Sequence, residues 1–244
     1  MQRDYLSASA INLFITCPTS FYLKYVLGLD TDETDLTYAN YGTLVHNINE
    51  NIANGDYFFV EDAIDEYVAG FPSTGMPMDN YFDEGIEGIK KHWEFCESPD
   101  IDIIGAEVKF NIKPFDDILP FLGFIDLVYI NKNGDLVVRD YKTGKPYDEN
   151  KIMNQIQPYF YSEACLHLFG QLPKYFEFQF PRFDEVRTVV IDEEFMEFNR
   201  LKLKGIWKQI ENMTLKANWN PFFCEHFCSC RTSCPLWQNK KGGR

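Results

Sequence analysis

The chain has 244 residues, enough for one sizeable core, with 45% hydrophobic residues and no low-complexity tract or internal repeat. A formal net charge of -14 excludes bulk electrostatic attraction to nucleic acid, so any contact with a polyanion must be local. The opening MQRDYLSASAINLF lacks a basic start followed by a long apolar run, and no stretch reaches the length of a membrane span, so a cytoplasmic protein away from membranes is expected. In that compartment the seven cysteines are expected to be free or metal-bound rather than disulfide-paired.

Ser7 or Ser9 can cap a first helix that runs to about Thr16. Pro18 forces the residue before it out of helical geometry, which puts Cys17 at a break before a second helix over 19–27, ended by Gly28. Such a break can offer Cys17 to a ligand, although a buried small hydrophobe is the simpler reading of one cysteine. Residues 30–40 are acidic and polar and read as a mobile connection. Thr43 can cap the next helix, whose apolar side is Leu44, Val45, Ile48 and Ile52. His46 then falls in the first turn, where the positive helix end disfavours imidazolium and keeps the ring in its neutral, metal-binding form. Helices over 58–71 and 81–96, separated by FPSTGMPMDN, complete a helical insertion over 30–100 in which His92 and Cys96 read as packing. A strand over 103–112 carries Glu107, either an outer carboxylate of a site or the surface partner of a lysine.

The stretch LGFIDLVYINKNGDLVVRDYK reads as two strands, 123–130 and 135–141, around a short turn at Asn133-Gly134. Carboxylates are rare in buried strands, and this hairpin holds Asp126 and Asp140, with Lys142 two residues beyond. A two-residue loop would put the two aspartates on opposite faces. A three-residue loop of Lys132, Asn133 and Gly134, with Gly134 left-handed, pairs Asn131 with Asp135 and sets Asp126 opposite Asp140, with Lys142 on the same face. This second register is the expected one. Adjacent carboxylates repel, and Mg or Mn is the usual remedy, with Lys142 placed to orient or deprotonate a water attacking phosphorus. A salt-bridged surface hairpin is the plainer alternative.

A helix over 150–169 follows, with Gln155 and Tyr159 one turn apart on one face, then strands over 175–180 and 187–191 and a helix over 193–211. Lys145, Lys151, Lys174, Arg182 and Arg187 could form a local basic track or be ordinary solvated side chains. The tail NWNPFFCEHFCSCRTSCPLW places Cys224, Cys228, Cys230 and Cys234 within eleven residues, a density that points to a metal or cluster. Zinc could use four of these cysteines, or three with His226; an iron-sulfur cluster would take four thiolates, with Cys17 the distant candidate.

Together these segments resemble the PD-(D/E)XK nuclease superfamily, in its RecB-like branch with an iron-sulfur cluster, which includes the nuclease domain of AddB and the CRISPR-associated exonucleases. INLFITCPTSFYLKYVLGL is similar to the N-terminal helix pair with its first cluster cysteine, GTLVH to the histidine motif, GFIDLV and VVRDYKTG to motifs II and III, and QIQPY to the Q-x3-Y motif. The Cys-Pro ending of the tail is similar to the terminal cluster segment. The resemblance implies an α/β, restriction-endonuclease-like mixed sheet flanked by helices, with a helical N-terminal region and a Cys-rich C-terminal tail over 220–244, all in one nuclease domain. It implies a divalent-metal-dependent DNA nuclease, acting as an exonuclease on single-stranded ends.

By that resemblance His46, Asp126, Asp140 and the backbone carbonyl of Tyr141 bind Mg or Mn, Lys142 positions the nucleophilic water, and Gln155 and Tyr159 shape the site and contact DNA. A 4Fe-4S cluster would be held by Cys17, Cys224, Cys228 and Cys234. The tail departs from the branch pattern C-x2-C-x5-C, because Cys224 and Cys228 are one residue too far apart and Cys230 is extra, so Cys230 stands as the substitute for Cys228. A cluster joining Cys17 to the tail would clasp a long loop, restricting the unfolded chain by up to about 5 kcal/mol if treated as a crosslink. The competing expectations are a catalytically idle DNA-binding or assembly subunit and a zinc-stabilised interaction module. A helicase, recombination or CRISPR protein is the implied kind of partner; self-association, cleavage polarity and pathway stay open.

Overall fold

Proline chemistry shapes the N-terminal segment of the computed structural model, which describes residues 4–30, 32–213 and 216–241. Helix α1 (Ala8–Thr16) is capped by Ser7, whose Oγ accepts the Ala10 N–H at 3.2 Å. It ends at Cys17, which is extended (φ -157°, ψ 99°), and α2 (Pro18–Phe21) restarts with the proline in its first turn. A π-helical turn, Tyr22–Val26, continues from α2. By internal packing the chain divides into two compact units, Met1–Asp35 with Asn111–Gly123 and Met196–Arg244, and Leu36–Phe110 with Phe124–Phe195.

In the second unit α3 (Thr37–Asn54) begins six residues before Thr43. Thr43 is therefore no cap; its hydroxyl donates back to the Ala39 carbonyl at 3.0 Å, inside the helix. The cause is tertiary: Tyr41, 1% exposed, packs with Val45, Ile48, Tyr67, Phe71 and Ile89, and that burial draws the helix upstream into the stretch expected to be mobile. Helices α4 (Val60–Gly70) and α5 (Asn80–Cys96) supply the other side of this cluster. They approach closely at Gly85, where any Cβ would overlap the Tyr67 hydroxyl.

Strands β1 (Ile101–Ile112), β2 (Phe121–Asn131), β3 (Leu136–Tyr141), β4 (Tyr175–Phe180) and β5 (Glu185–Val190) form one sheet in that order. β2 and β3 run antiparallel, β3 and β4 parallel, β4 and β5 antiparallel, so the sheet is mixed and flanked by helices, as expected. On one face Leu127, Tyr129, Val137 and Tyr141 pack with Ala53, Phe95, Ile101 and Ile103. Arg139 lies buried on that face, donating to Glu177 and stacked 3.7 Å from the Phe95 ring. With the opposite face covered too, the middle of β2 is buried continuously rather than alternately.

The helix expected over 150–169 is two helices, α6 (Glu149–Asn154) and α7 (Gln157–Phe169). Pro158 is the reason. In one continuous helix its ring would clash with the carbonyl four residues back, at Asn154, where α6 stops; in the first turn of α7 its missing N–H costs nothing. Gln155 is left extended between them. Helix α7 covers the second face of the sheet, where Tyr161 packs edge-on against Phe110 and beside Phe176.

The first unit is built from α1, α2, the residues from 196 onward of α8 (Glu193–Glu211), and the short helices α9 (Pro221–His226) and α10 (Pro235–Lys241). Leu6 joins residues 120–122 through backbone bonds of 2.7 and 2.9 Å. Among the described residues no helix is long and apolar enough to cross a membrane.

Candidate active site

The turn between β2 and β3 is the three-residue loop expected. Asn131 N–H donates to the Asp135 carbonyl at 3.0 Å, Gly134 N–H to the Asn131 carbonyl at 2.8 Å, and Gly134 is left-handed at φ 78°. The Asn131 side chain accepts the backbone N–H groups of Asn133 and Asp135, bracing the loop from within. Pairing runs from Ile130 opposite Leu136 to Leu127 opposite Arg139, and one further step sets Asp126 opposite Asp140 on one face.

Each carboxylate there is held by a specific donor. Asp126, 7% exposed, accepts the Tyr141 N–H on Oδ2 at 2.8 Å. Asp140, 1% exposed, has Lys142 Nζ 2.5 Å from Oδ2 and Gln157 Nε2 2.5 Å from Oδ1. Gln157 closes the ring, accepting from Lys142 through Oε1 at 3.0 Å and donating to the Tyr161 hydroxyl at 2.8 Å. These contacts correct the assignment of Gln155 and Tyr159. The segment QIQPYFY contains two overlapping Q-x3-Y spacings, and the one that reaches the site is Gln157 with Tyr161. Tyr159 lies two residues off along α7, a rotation of about 200°, and is fully buried.

His46 is the tenth residue of α3, not a first-turn residue, so the helix end has no hold on its charge. Its Nε2 lies 3.1 Å from the Tyr141 carbonyl, and its Nδ1 is 3.4 Å from Asp126 Oδ2 and 3.8 Å from Glu107 Oε1. His46, Glu107 and Asp126 offer ligand atoms within 4.8 Å of one another. Glu107 thus joins the site, and it does so from a left-handed backbone at φ 45°, a conformation that costs a non-glycine residue on the order of 1 kcal/mol or more. The kink also breaks strand alternation: Ala106 packs with Leu127 and Tyr129, whereas Phe110 meets Tyr161 across the sheet. Regular alternation would have put both on one face, so the sequence carried no sign of it.

Burial and the crowding of carboxylates together set the electrostatics. Burial, followed by the charge of Asp140, pushes the Asp126 carboxyl up to about 7, against the opposing pull of His46 and Lys142. Burial alone would lower the imidazole of His46, but its pairing with Glu107 and the charges of Asp126 and Asp140 hold it up at about 9. Without a divalent cation His46 is therefore imidazolium, contrary to the neutral form expected, because the carboxylates outweigh both burial and Lys142. Burial also works against the Lys142 ammonium, yet Asp140 raises its pKa, so it stays charged. The donors present, one imidazole and several carboxylate oxygens with excess negative charge, fit Mg or Mn.

His92 and Cys96 are packing residues as expected. Burial drives His92 down to about 3 and Cys96 up to about 12, so neither ionises near neutrality.

In the first unit Cys17, Cys224, Cys228 and Cys234 line one apolar cavity, together with Trp219 and Trp237. Cys230 is fully buried outside that lining, 3.9 Å from the Ser20 carbonyl. Interaction with Cys230, ahead of the opposing effect of burial, lowers the Cys228 thiol below its ordinary value. His226 is exposed and stacks beside Phe222, away from the cavity lining.

A mixed sheet whose hairpin presents opposed aspartates, with a lysine two residues after the second, defines a restriction-endonuclease-like class of nuclease folds. The model of the PD-(D/E)XK nuclease superfamily matches residues 5–235, and the chain belongs to that superfamily. A crystal structure from Eubacterium rectale named "putative exonuclease" is similar in fold, with 14% identity, 99% of this chain and 94% of that one covered, and a TM-score of 0.55. The crystal structure of the protein SSO0001 aligns at 12% identity over 97% of this chain and 88% of that one, with a TM-score of 0.47. No curated protein matches the sequence.

The raised pKa values of His46 and Asp126 have one sign: the metal-free folded state binds protons more tightly than the unfolded chain. The His46 contribution to stability is complete below its ordinary value of 6.5 and is lost as pH rises through about 9; the cost of ionising Asp126 grows above its ordinary 3.8 and is complete above about 7. In chelator-treated protein the His46 ring should titrate in the NMR spectrum near 9, and Asp126→Asn should bring that midpoint down. A midpoint at or below 6.5 would contradict this electrostatic account.

Proposed function

We propose that the protein is a divalent-metal-dependent DNA nuclease of the RecB-like branch, acting as an exonuclease on single-stranded ends, with a structural 4Fe-4S cluster clasping its terminal segments. The observation that carries the proposal is the convergence of His46, Glu107 and Asp126 beside the Asp140–Lys142 pair. The name of the Eubacterium rectale protein points the same way.

His46, Glu107 and Asp126 would hold the cation, with Asp140 and the Tyr141 carbonyl lining the same pocket. Bound there, Mg or Mn supplies positive charge that polarises the scissile phosphate and acidifies the attacking water. Lys142 contributes as an ammonium: it positions the water and stabilises charge developing on the phosphate oxygens, rather than removing a proton. Gln157 bridges Lys142 and Asp140 and so locks both rotamers before substrate arrives. Lys145 and Lys151 line the same pocket, and Lys151 is held 3.9 Å over the Tyr147 ring. The other basic candidates are spent elsewhere, Lys174 on Asp135, Arg182 on Glu84 and Arg187 on Glu185. Of these five basic candidates, Lys145 and Lys151 are therefore the two placed beside the carboxylates.

The cysteine cavity supports the cluster over zinc. Among the described residues no three thiols come within 4.8 Å of one another, whereas tetrahedral zinc with bonds of about 2.3 Å needs sulfur atoms about 3.8 Å apart. The lining also favours Cys228 over Cys230 as the ligand, because Cys230 lies behind it, its thiol directed at the Ser20 carbonyl. A catalytically idle subunit would have no use for the bonded ring of Asp140, Lys142 and Gln157.

Lys142→Ala and Asp126→Ala, compared with wild type on labelled single- and double-stranded DNA with Mg or Mn, should each lose about 100-fold or more in cleavage rate. Undiminished cleavage in both variants would remove the site. Anaerobically purified wild type should be brown, Cys230→Ser should keep the colour and Cys228→Ser should lose it; a colourless, zinc-containing wild type would favour the interaction module.

A further inference from the structure

His46 separates two openings of the same surface. One is the pocket of Lys142, Lys145 and Lys151; the other is a groove whose lining includes Ala39, Gly42, Thr43, Glu107 and Phe124. They adjoin where Gly42 faces Thr143, at a distance where a Cβ would make ordinary contact with the hydroxyl, 3.5 Å away.

Phe124 is an anomaly on its strand. Residues 125–129 of β2 are buried, yet Phe124 is 47% exposed, two residues before Asp126 and hence on the face of the carboxylates. A single exposed apolar residue normally needs no explanation. This one borders the candidate metal centre, and its ring shares the groove with the small residues Ala39, Gly42 and Thr43, which leave space against it.

The binding problem posed by the charge supplies the ring with a use. At a net charge of -14 the chain as a whole repels a polyanion, and Lys174, Arg182 and Arg187 are each paired with a carboxylate. Stacking on an aromatic face does not depend on net charge and tolerates any base. It also discriminates strands, because a base inside a duplex already has both faces covered by its neighbours, whereas an unpaired base has a face to give.

We propose that Phe124 is the stacking platform for an unpaired base adjacent to the scissile phosphate, and that this contact selects single-stranded DNA. The proposal rests on the nuclease function above and names the feature of the substrate that the groove reads. The phosphate lies on the lysine side of His46, the base on the Phe124 side.

The test is steady-state cleavage of labelled single-stranded oligonucleotides, intact or carrying one abasic residue at each position flanking the scissile phosphate. Phe124→Ala should raise KM about 5- to 100-fold, more than it lowers kcat, and Phe124→Trp should restore KM. Phe124→Leu, which keeps apolar bulk without a stacking face, should behave like the alanine variant. In wild type an abasic residue at one particular position should raise KM comparably, and Phe124→Ala should be indifferent to it. Wild-type KM in Phe124→Leu, or an abasic penalty of equal size in Phe124→Ala, would overturn the role of Phe124 while leaving the nuclease intact. Wild type that cleaves no DNA with Mg or Mn would overturn both.

Discussion

The backbone pair between Asn131 and Asp135, closed by Gly134 in the left-handed region, fixes the register of β2 against β3. A slip of one residue would turn Asp126 away from Asp140 and expose Leu127 and Tyr129 on the wrong face. The penalty for slipping is thus set by the core, and the chemistry inherits a placement that packing enforces. Tyr141 links the two levels: its side chain packs in the sheet core, its N–H holds Asp126, and its carbonyl meets His46.

Placing Asp126, Asp140 and Glu107 together creates a repulsion that the fold only partly relieves. Gln157 donates to Asp140 Oδ1 and the Lys142 ammonium faces Oδ2, and imidazolium at His46 takes up part of the charge facing Asp126 and Glu107. Burial and the remaining repulsion hold the Asp126 carboxyl near 7, and Glu107 joins the site from a left-handed backbone. A site under this tension in the absence of a cation has free energy to gain when one binds, because protonation and metal binding satisfy the same carboxylates. Strain at Glu107 is retained where function needs it and where the surrounding strand over-determines it.

What was legible in the sequence was local. Period-two alternation and turn chemistry reduced the hairpin to two registers, and the three-residue loop with Gly134 left-handed is the one that sets Asp126 opposite Asp140. The start of α3 was not legible, because it depends on Tyr41 finding Tyr67 and Phe71, residues far along the chain. The choice between Gln155 with Tyr159 and Gln157 with Tyr161 was written in Pro158, which decides where α7 can begin; helical spacing alone weighed the two pairs equally. Glu107 could be noticed as an acid on a strand, but its entry into the site depends on a left-handed residue that no strand pattern announces. Five cysteines could be grouped by density and by the break at Pro18, while only the cavity separates Cys228 on the lining from Cys230 behind it.

Calorimetric titration of chelator-treated protein with Mn tests most directly whether His46, Glu107 and Asp126 form a divalent-cation centre. The structure calls for saturable binding at this centre in wild type that is weakened at least about tenfold in both His46→Ala and Glu107→Gln, with folding of each variant confirmed by circular dichroism. Mn binding of wild-type affinity and stoichiometry in both folded variants would contradict it.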